Sequence, residues 1–500
     1  MYLFSTTWNI IYGNRTMGRI RKKPAKGIKI SIFVLPVLMV LCSVLCSAQE
    51  PLPTRYSLAE EGKKPKVRSQ GNTGTCWAIS AVSAMESDLL PQTRIELSPD
   101  HMSLSSGFNI TQEDGGDYYM IMSYLSDWKG PVLEAEDPYG DGVSPEGLNA
   151  ALHVQEMRML QTLTREEAKR AILEYGALQS SLCLDRERTD TEGFYYYNPV
   201  QCAYYDPLVE NLDHDILILG WDDTFSRDHF LIRPSVDGAW ICQNTWGESF
   251  GEDGIFYVSY EDRNLLRKGG MVYNRIESAE NYDQVYENDS LGWQGRQGYG
   301  EEGCWFSGAF TAQEDGQLAA AGLYSTGPGT VCSIYVIPHF SGEEDLKSVA
   351  ALNGDPSGSP AAEARMDTAG YYTIDLDRPA ELSAGQDFAV VVWIRTEGEE
   401  RPVAVEMIKD SYTAPVSFEG RRTWISKDGK DWERTQTVYH TNLCLKAYTK
   451  GPAEESTEDP AEDSVENPAE KPAGNPTETP AEDPAKNPAE DSAETPALQD

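Results

Sequence analysis

Positive charge is scarce in this 500-residue chain. Forty-two Lys and Arg stand against eighty Asp and Glu, a formal net charge of −38. Such a surface repels nucleic acid and anionic membrane, so neither is expected as a partner. Histidine is scarcer still, with six residues, which leaves few candidates for an imidazole base or a metal ligand. No zinc-ligand spacing, phosphate-binding loop or carboxylate pair stands out, so no metal or organic cofactor is implied. Long apolar runs are absent but for one, "ISIFVLPVLMVLCSVL", residues 30–45. The stretch from Gly451 onward lacks aromatics and almost all large apolar residues, so it has nothing with which to build a core.

The single apolar run reads as part of an export signal over residues 1–48. The basic "MGRIRKKPAKGIK" precedes it, and "CSAQE" offers the small residues Cys46 and Ala48 for cleavage. Met17 is the better start, since the sixteen residues before it add nothing to this pattern. The protein is therefore expected to be secreted or held at the cell surface, with an uncleaved signal as the anchored variant. Neither Cys42 nor Cys46 follows a small residue, which argues against a lipidated cysteine. After Ala48 seven cysteines remain: Cys76, Cys183, Cys202, Cys242, Cys304, Cys332 and Cys444. The number is odd, so at least one carries a free thiol or pairs with another chain.

Residues 49–273 mix helix and strand signals in an α+β order. In "CWAISAVSAMESDLL", Ala78, Val82, Met85 and Leu89 recur on one face of a helix. "TREEAKRAILEYG" opens with a capping box, Thr164 and Glu167, and closes on Gly176. "HDILILGW", "HFLIR", "GAWICQN" and "GIFYVSY" read as strands. Residues 274–450 change character to short β-type runs between Gly, Pro and Asp clusters, with no clear helix. That pattern predicts a self-contained β-sandwich or barrel. In residues 451–500 Pro recurs every fourth position from Pro468 to Pro488, amid fifteen acids and two Lys. This tail is expected to be a disordered, solvated spacer.

Chemistry is expected at Cys76, which opens the first helix after Gly74 and Thr75. A helix N-terminus and a neighbouring imidazolium both favour thiolate over thiol. Of the six histidines, His214 heads an apolar run that reads as a central strand, and His229 is a weaker alternative base. Asn244 follows the strand "GAWICQ" and can fix an imidazole ring and its tautomer. Gln70, six residues before Cys76, can donate to an oxyanion beside the Cys76 N–H. Taken singly, each residue has a plain structural reading: a buried cysteine, a strand-capping histidine, an asparagine in a turn. Cys183, Cys202 and Cys242 read as core or disulfide residues. Trp305, Trp393, Trp424 and Trp432 read as core, with sugar stacking as the alternative.

Together, "VRSQGNTGTCWAIS", "DHDILILGW" and "WICQNTWGESFGEDGIFYVSY" resemble the papain-like cysteine peptidases over roughly residues 52–260. By that resemblance Cys76 is the nucleophile, His214 the general base and acid, Asn244 the orienting amide and Gln70 the oxyanion donor. Trp246 shields the Asn–His contact, and Gly115 and Gly116 of "EDGGDYY" approach the substrate backbone. "ENYDQVYENDSLGW" and "GCWFSGAFTA" resemble exported bacterial members in which a lectin-like β-sandwich follows the peptidase. Two departures from the family stand out, one of them a pair of positions. Its cysteine before the catalytic loop is Thr73 here and the partner cysteine is Glu113, so both halves of one disulfide are missing. Thr75 stands where Ser or Ala is usual.

The resemblance implies an exported endopeptidase that acts on proteins or peptides through a thioester, with a glycan or cell-surface ligand for the β-domain. A transpeptidase using the same thiol is an alternative, as is a surface glycan-binding protein with a vestigial peptidase domain. The 27 residues from Gln49 to Thr75 leave no room for a helical propeptide, so no further N-terminal processing is expected.

Overall fold

The structure, a computed structural model, describes residues 50–161, 163–184, 196–209, 211–351 and 358–452. The expected export signal and the acidic tail from residue 453 on lie outside the described residues. Small side chains shape the first helix, Cys76–Leu89. The sequence predicts one apolar face, yet every residue from Trp77 to Ser87 is buried. Ala78, Ser80, Ala81, Ser83 and Ala84 let neighbours approach from all sides, so the helix lies in the core instead of on its edge. This places Glu86 out of water, where Arg68 meets it in a two-pronged pair of 2.6 and 2.9 Å. The Leu97 N–H adds a third bond to the same carboxylate. Helices Pro99–Leu104 and Tyr118–Ser126 complete this lobe. The capping box at Thr164 starts helix Arg165–Tyr175 as the sequence predicts.

The second lobe is a sheet. Strand His214–Asp222 is buried along eight of its nine residues and sits centrally. It pairs with Leu178–Leu182 on one side and Ala239–Gln243 on the other. Arg55–Ser57 also pairs with it, which ties the start of the described chain across to this lobe. "HFLIR" forms no strand. Its start is a single 3-10 turn, Arg227–His229, and Leu231 and Ile232 are exposed. Pro234 follows close by and cannot donate to a ladder.

The sheet does not stop at the expected boundary between residues 273 and 274, which falls inside strand Gly270–Ser278. That strand pairs with Leu152–Leu160, and Leu152–Leu160 pairs with Ala369–Leu382, opposing Tyr371 to Met157 and Tyr372 to Glu156. From there the sheet runs on through Gly316–Ser325 and Leu445–Lys450 to Gln284–Glu287, thirteen described strands in all. All described residues fall in one compact unit. The β-rich part is thus less self-contained than its sequence predicts.

A second, six-stranded sheet packs against the far end of the first and gives the sandwich. Alternation along strand Asp387–Arg395 shows why both its faces are apolar. Phe388, Val390, Val392 and Ile394 join the inter-sheet core, whereas Ala389 and Val391 point into a second cluster with Trp305, Trp424 and Trp432. Leu346 and Val349 of helix Glu343–Ala351 belong to that cluster. This helix departs from the expectation of no clear helix in residues 274–450. The three tryptophans are core residues.

Candidate active site

The nucleophile candidate emerges where the two lobes meet. Thr75, the residue before helix Cys76–Leu89, makes no side-chain cap. The Ala78 and Ile79 N–H groups instead bond the Thr75 carbonyl, each at 3.1 Å. Cys76 itself is half-buried. Burial pushes the Cys304 and Cys332 thiols up to about 12, and Cys242 and Cys444 rise well above the ordinary thiol range for the same reason. Those four are packing residues outside any disulfide.

His214, 5% exposed, begins the central strand opposite this helix. Its Nε2 lies 2.8 Å from Asn244 Oδ1. An amide oxygen only accepts, so Nε2 carries the hydrogen and Nδ1 is the basic nitrogen. Asn244 Oδ1 also accepts from the Thr245 N–H at 2.7 Å, which fixes the amide's orientation. The Trp246 ring stands 5.0 Å from the imidazole and closes it off. Trp246 is set by a β-bridge to Ser69, so the Asn244 turn and the Gln70 loop are registered against each other. The Gln70 N–H donates to Thr245 O at 2.8 Å. The Gln70 side chain accepts from Thr245 Oγ1 at 2.6 Å and gives one amide hydrogen to Thr73 O, also at 2.6 Å.

Gln70, Cys76, Gly115, Gly116 and His214 all line one cleft of about 920 Å³. Asn244 and Trp246 stand behind it, in contact with His214. Both glycines have local reasons to be glycine. Gly115 has φ of 80°, in the left-handed region, and a Cβ on Gly116 would fall 2.3 Å from the Trp77 ring. The structure thus brings the Gln, Cys, His and glycine-pair positions of the sequence into one wall, with Asn244 and Trp246 behind.

His229 is not part of this cleft. It sits in the 3-10 turn with its ring against Phe225. His153 makes its own pair, Nδ1 to Asn281 Oδ1 at 2.6 Å, and stacks on Trp128 at 3.8 Å. Burial lowers its pKa, and it lines no part of the cleft. Of two similar His–Asn–Trp groupings, one therefore lies at the cleft that Cys76 lines and the other does not.

Sequence reasoning missed several cleft residues. Asp215, next to His214, is buried and takes hydrogen bonds from Ser181 at 2.5 Å and Gln179 at 2.8 Å. Burial raises its pKa, against the pull of those two donors. Tyr118 reaches Ser181 at 3.5 Å, and burial, then the Asp215 charge, hold its phenol well above the usual range. Gln179 also donates to Trp77 O at 3.1 Å. Nothing local in the sequence marks these groups, because they come from three separate segments. Among the described residues no cluster of His, Cys, Asp and Glu fits a metal ion, and no helix is long and apolar enough to cross a membrane.

Residues 52–274 match the family described as papain family cysteine protease, and residues 285–449 match the lectin-like domain. Cathepsin S of Bos taurus is 26% identical over 223 residues, 43% of this chain and 62% of that protein. Cathepsin L of Sarcophaga peregrina is 24% identical over 230 residues, with the same two coverages. The chain thus spans under two thirds of the curated relatives it matches. Among solved structures, the cysteine protease and lectin-like domains of Cwp84, a surface layer associated protein of Clostridium difficile, overlay with a TM-score of 0.66. That match has 22% identity and covers 81% of this chain and 90% of that one. A second structure, Cwp84 after propeptide cleavage, gives the same score at 23% identity over 79% of this chain and 99% of that one. The chain therefore carries a papain family cysteine protease domain over residues 52–274 and a lectin-like domain over residues 285–449.

Proposed function

We propose that the protein is an exported cysteine endopeptidase that cleaves peptide bonds with Cys76, His214 and Asn244. The observation that carries this reading is the 2.8 Å contact between His214 Nε2 and Asn244 Oδ1 beside a cleft that Cys76 and Gln70 also line. With Nε2 held by the amide, Nδ1 is the nitrogen that exchanges protons with the thiol. The Cys76 thiolate attacks the substrate carbonyl carbon, a C–S bond forms, and the carbonyl electrons move onto oxygen. The Cys76 N–H and the second amide hydrogen of Gln70 hold that oxyanion. Its collapse breaks the C–N bond as imidazolium protonates the leaving amine. Water, deprotonated by the imidazole, then attacks the thioester and releases the acid and the thiol.

In this reading residues 1–48 serve export, 49–273 the peptidase, 274–450 the lectin-like part and 451–500 a spacer. Gly115 and Gly116 leave room for the substrate backbone. The lectin-like part holds the enzyme near a glycan or another cell-surface ligand, in keeping with Cwp84 being a surface layer associated protein. The test is labelling with an epoxysuccinyl peptide, followed by peptide mapping and turnover of a peptide library. Cys76 is expected to carry the label, and Cys76→Ala to lose both label and turnover while its thermal transition stays in place. Label on Cys202 instead, or turnover that survives in Cys76→Ala, refutes the assignment.

A further inference from the structure

The loop that carries Gln70 meets a tyrosine that no family motif assigns. Tyr139 lies 69 residues downstream, after Pro138, and its hydroxyl reaches three atoms of the Gln70–Cys76 segment. It is 2.5 Å from Thr75 Oγ1, 3.0 Å from Thr73 Oγ1 and 3.2 Å from Gln70 O. The two threonine hydroxyls are themselves 2.8 Å apart, and Thr73 Oγ1 donates to Gln70 O at 2.8 Å. One proton assignment satisfies the group: Thr75 donates to Tyr139, and Tyr139 and Thr73 both donate to the Gln70 carbonyl. Thr75 makes no side-chain cap on the helix behind it.

Tyr139 is in turn fixed from outside. The next residue, Gly140, gives its N–H to Asp100 Oδ2 at 3.2 Å, and Asp100 Oδ1 takes Gln112 Nε2 at 2.6 Å. Gln112 O accepts the Gly74 N–H at 2.7 Å. Buried Asp100 therefore ties the tyrosine loop to the segment leading into Gly115 and Gly116, and that segment to the nucleophile loop. Thr73 and Glu113 occupy the positions where the family resemblance leads one to expect a disulfide. The hydroxyl cluster stands on the Thr73 side of that missing link.

We infer that Tyr139 is a positioning residue, clamping the Gln70 loop through Thr73 and Thr75 in place of a covalent cross-link. The inference rests on the proposed oxyanion role of Gln70. A carbonyl held by three donors, Thr73 N–H, Thr73 hydroxyl and Tyr139 hydroxyl, leaves the Gln70 backbone little freedom. Its side-chain amide then points where charge develops, without reorganising during the reaction. Such a clamp works equally in reducing and oxidising surroundings, unlike a disulfide.

The experiment compares wild type with Tyr139→Phe, Thr73→Val and Thr73→Ser in the full chain. Loss of one well-placed oxyanion donor costs about 10²–10³ in kcat. Loosening a donor is expected to cost about tenfold or more, with KM within about twofold. Thr73→Val is expected to act in the same direction, and Thr73→Ser to keep wild-type turnover. Alkylation of Cys76 by iodoacetamide displaces iodide and forms no oxyanion, so its rate and pH profile are expected to be unchanged in all three. Unchanged kcat, or a parallel loss of turnover and alkylation, overturns the inference.

A separate arm needs no activity. In a Cys76→Ala background, Tyr139→Phe is expected to speed amide exchange over residues 71–75 while the rest of the helical lobe is unaffected. Unchanged exchange there overturns the clamp. If the wild type hydrolyses no peptide, the peptidase reading fails, and the exchange arm still decides whether Tyr139 holds the loop.

Discussion

Replacing Glu287 by Gln should make the protein more stable at pH 8 and leave it nearly unchanged at pH 4. Glu287 lies in "ENYDQVYENDSLGW", near the start of the lectin-like match over residues 285–449. Its carboxylate is 2.7 Å from Lys446 Nζ, and Lys446 has no exposed side-chain surface. The same ammonium bonds Asp127, at the end of helix Tyr118–Ser126, and lies 3.3 Å from Asp289. Lys129 gives Asp127 a second cation at 2.8 Å. Three carboxylates thus share two ammonium groups. Burial first, and then the charge of Asp127, push Glu287 up to about 8.

The sign follows from linkage. A carboxyl whose folded pKa is raised binds its proton more tightly in the folded state. Its contribution is complete below the unfolded value near 4.5 and is lost as pH rises through about 8. The full shift corresponds to a ceiling of about 5 kcal/mol. Because 27% of the Glu287 side chain remains exposed, we expect roughly 2 kcal/mol of it to be realised. Gln mimics the protonated acid and still offers Lys446 an oxygen, so it removes the pH dependence and keeps the contact. The assay is urea unfolding at pH 4 and pH 8. Wild type and variant should nearly agree at pH 4, and the variant should exceed wild type by about 2 kcal/mol at pH 8. Parallel pH profiles, or a variant weaker at pH 8, would refute the charge count.

Other expectations are as direct. Arg68→Ala strands the buried Glu86 carboxylate and should cost about 3–5 kcal/mol in urea, and it should also lower turnover, since Arg68 lies two residues from Gln70. Asn244→Ala frees the His214 ring and should reduce kcat by less than His214→Ala does, a ranking that steady-state kinetics checks. Residues 284–452 expressed alone expose the edge of strand Ala369–Leu382 and leave Lys446 without Asp127. That fragment should self-associate in sedimentation, whereas a stable monomer would show that the shared strand pair contributes little.

The candidate site was largely legible because its members carry their own local grammar. Cys76 opens a helix after small residues, His214 opens an apolar run, and Asn244 closes a strand beside Trp246. Each signal is short-range, and order along the chain links them. Tyr139, Asp215 and Asp100 were invisible, since each acts through a partner tens of residues away and looks like any loop or strand residue. The fold failed to read at similar places. Periodicity marks a face only when water covers the other side. The Cys76 helix has no wet side, and strand Asp387–Arg395 has apolar residues on both. "HFLIR" has the composition of a strand and the position of a surface loop, and composition alone does not separate the two. The sheet that joins the two family matches rests on backbone pairing between residues 152–160 and 369–382, which leaves no mark on either segment.

That shared sheet also constrains how such a protein can change over generations. Two parts joined only by a linker can be exchanged between genes, each bringing a finished surface. Here the Leu152–Leu160 strand takes a neighbour from the second half, and Asp127 takes its ammonium partner from there as well. A recombinant that substituted another second half would inherit a strand with one open edge and a buried carboxylate together. The two halves are therefore expected to vary as one inherited block, with the freedom to swap confined to whatever precedes the first strand or follows the last.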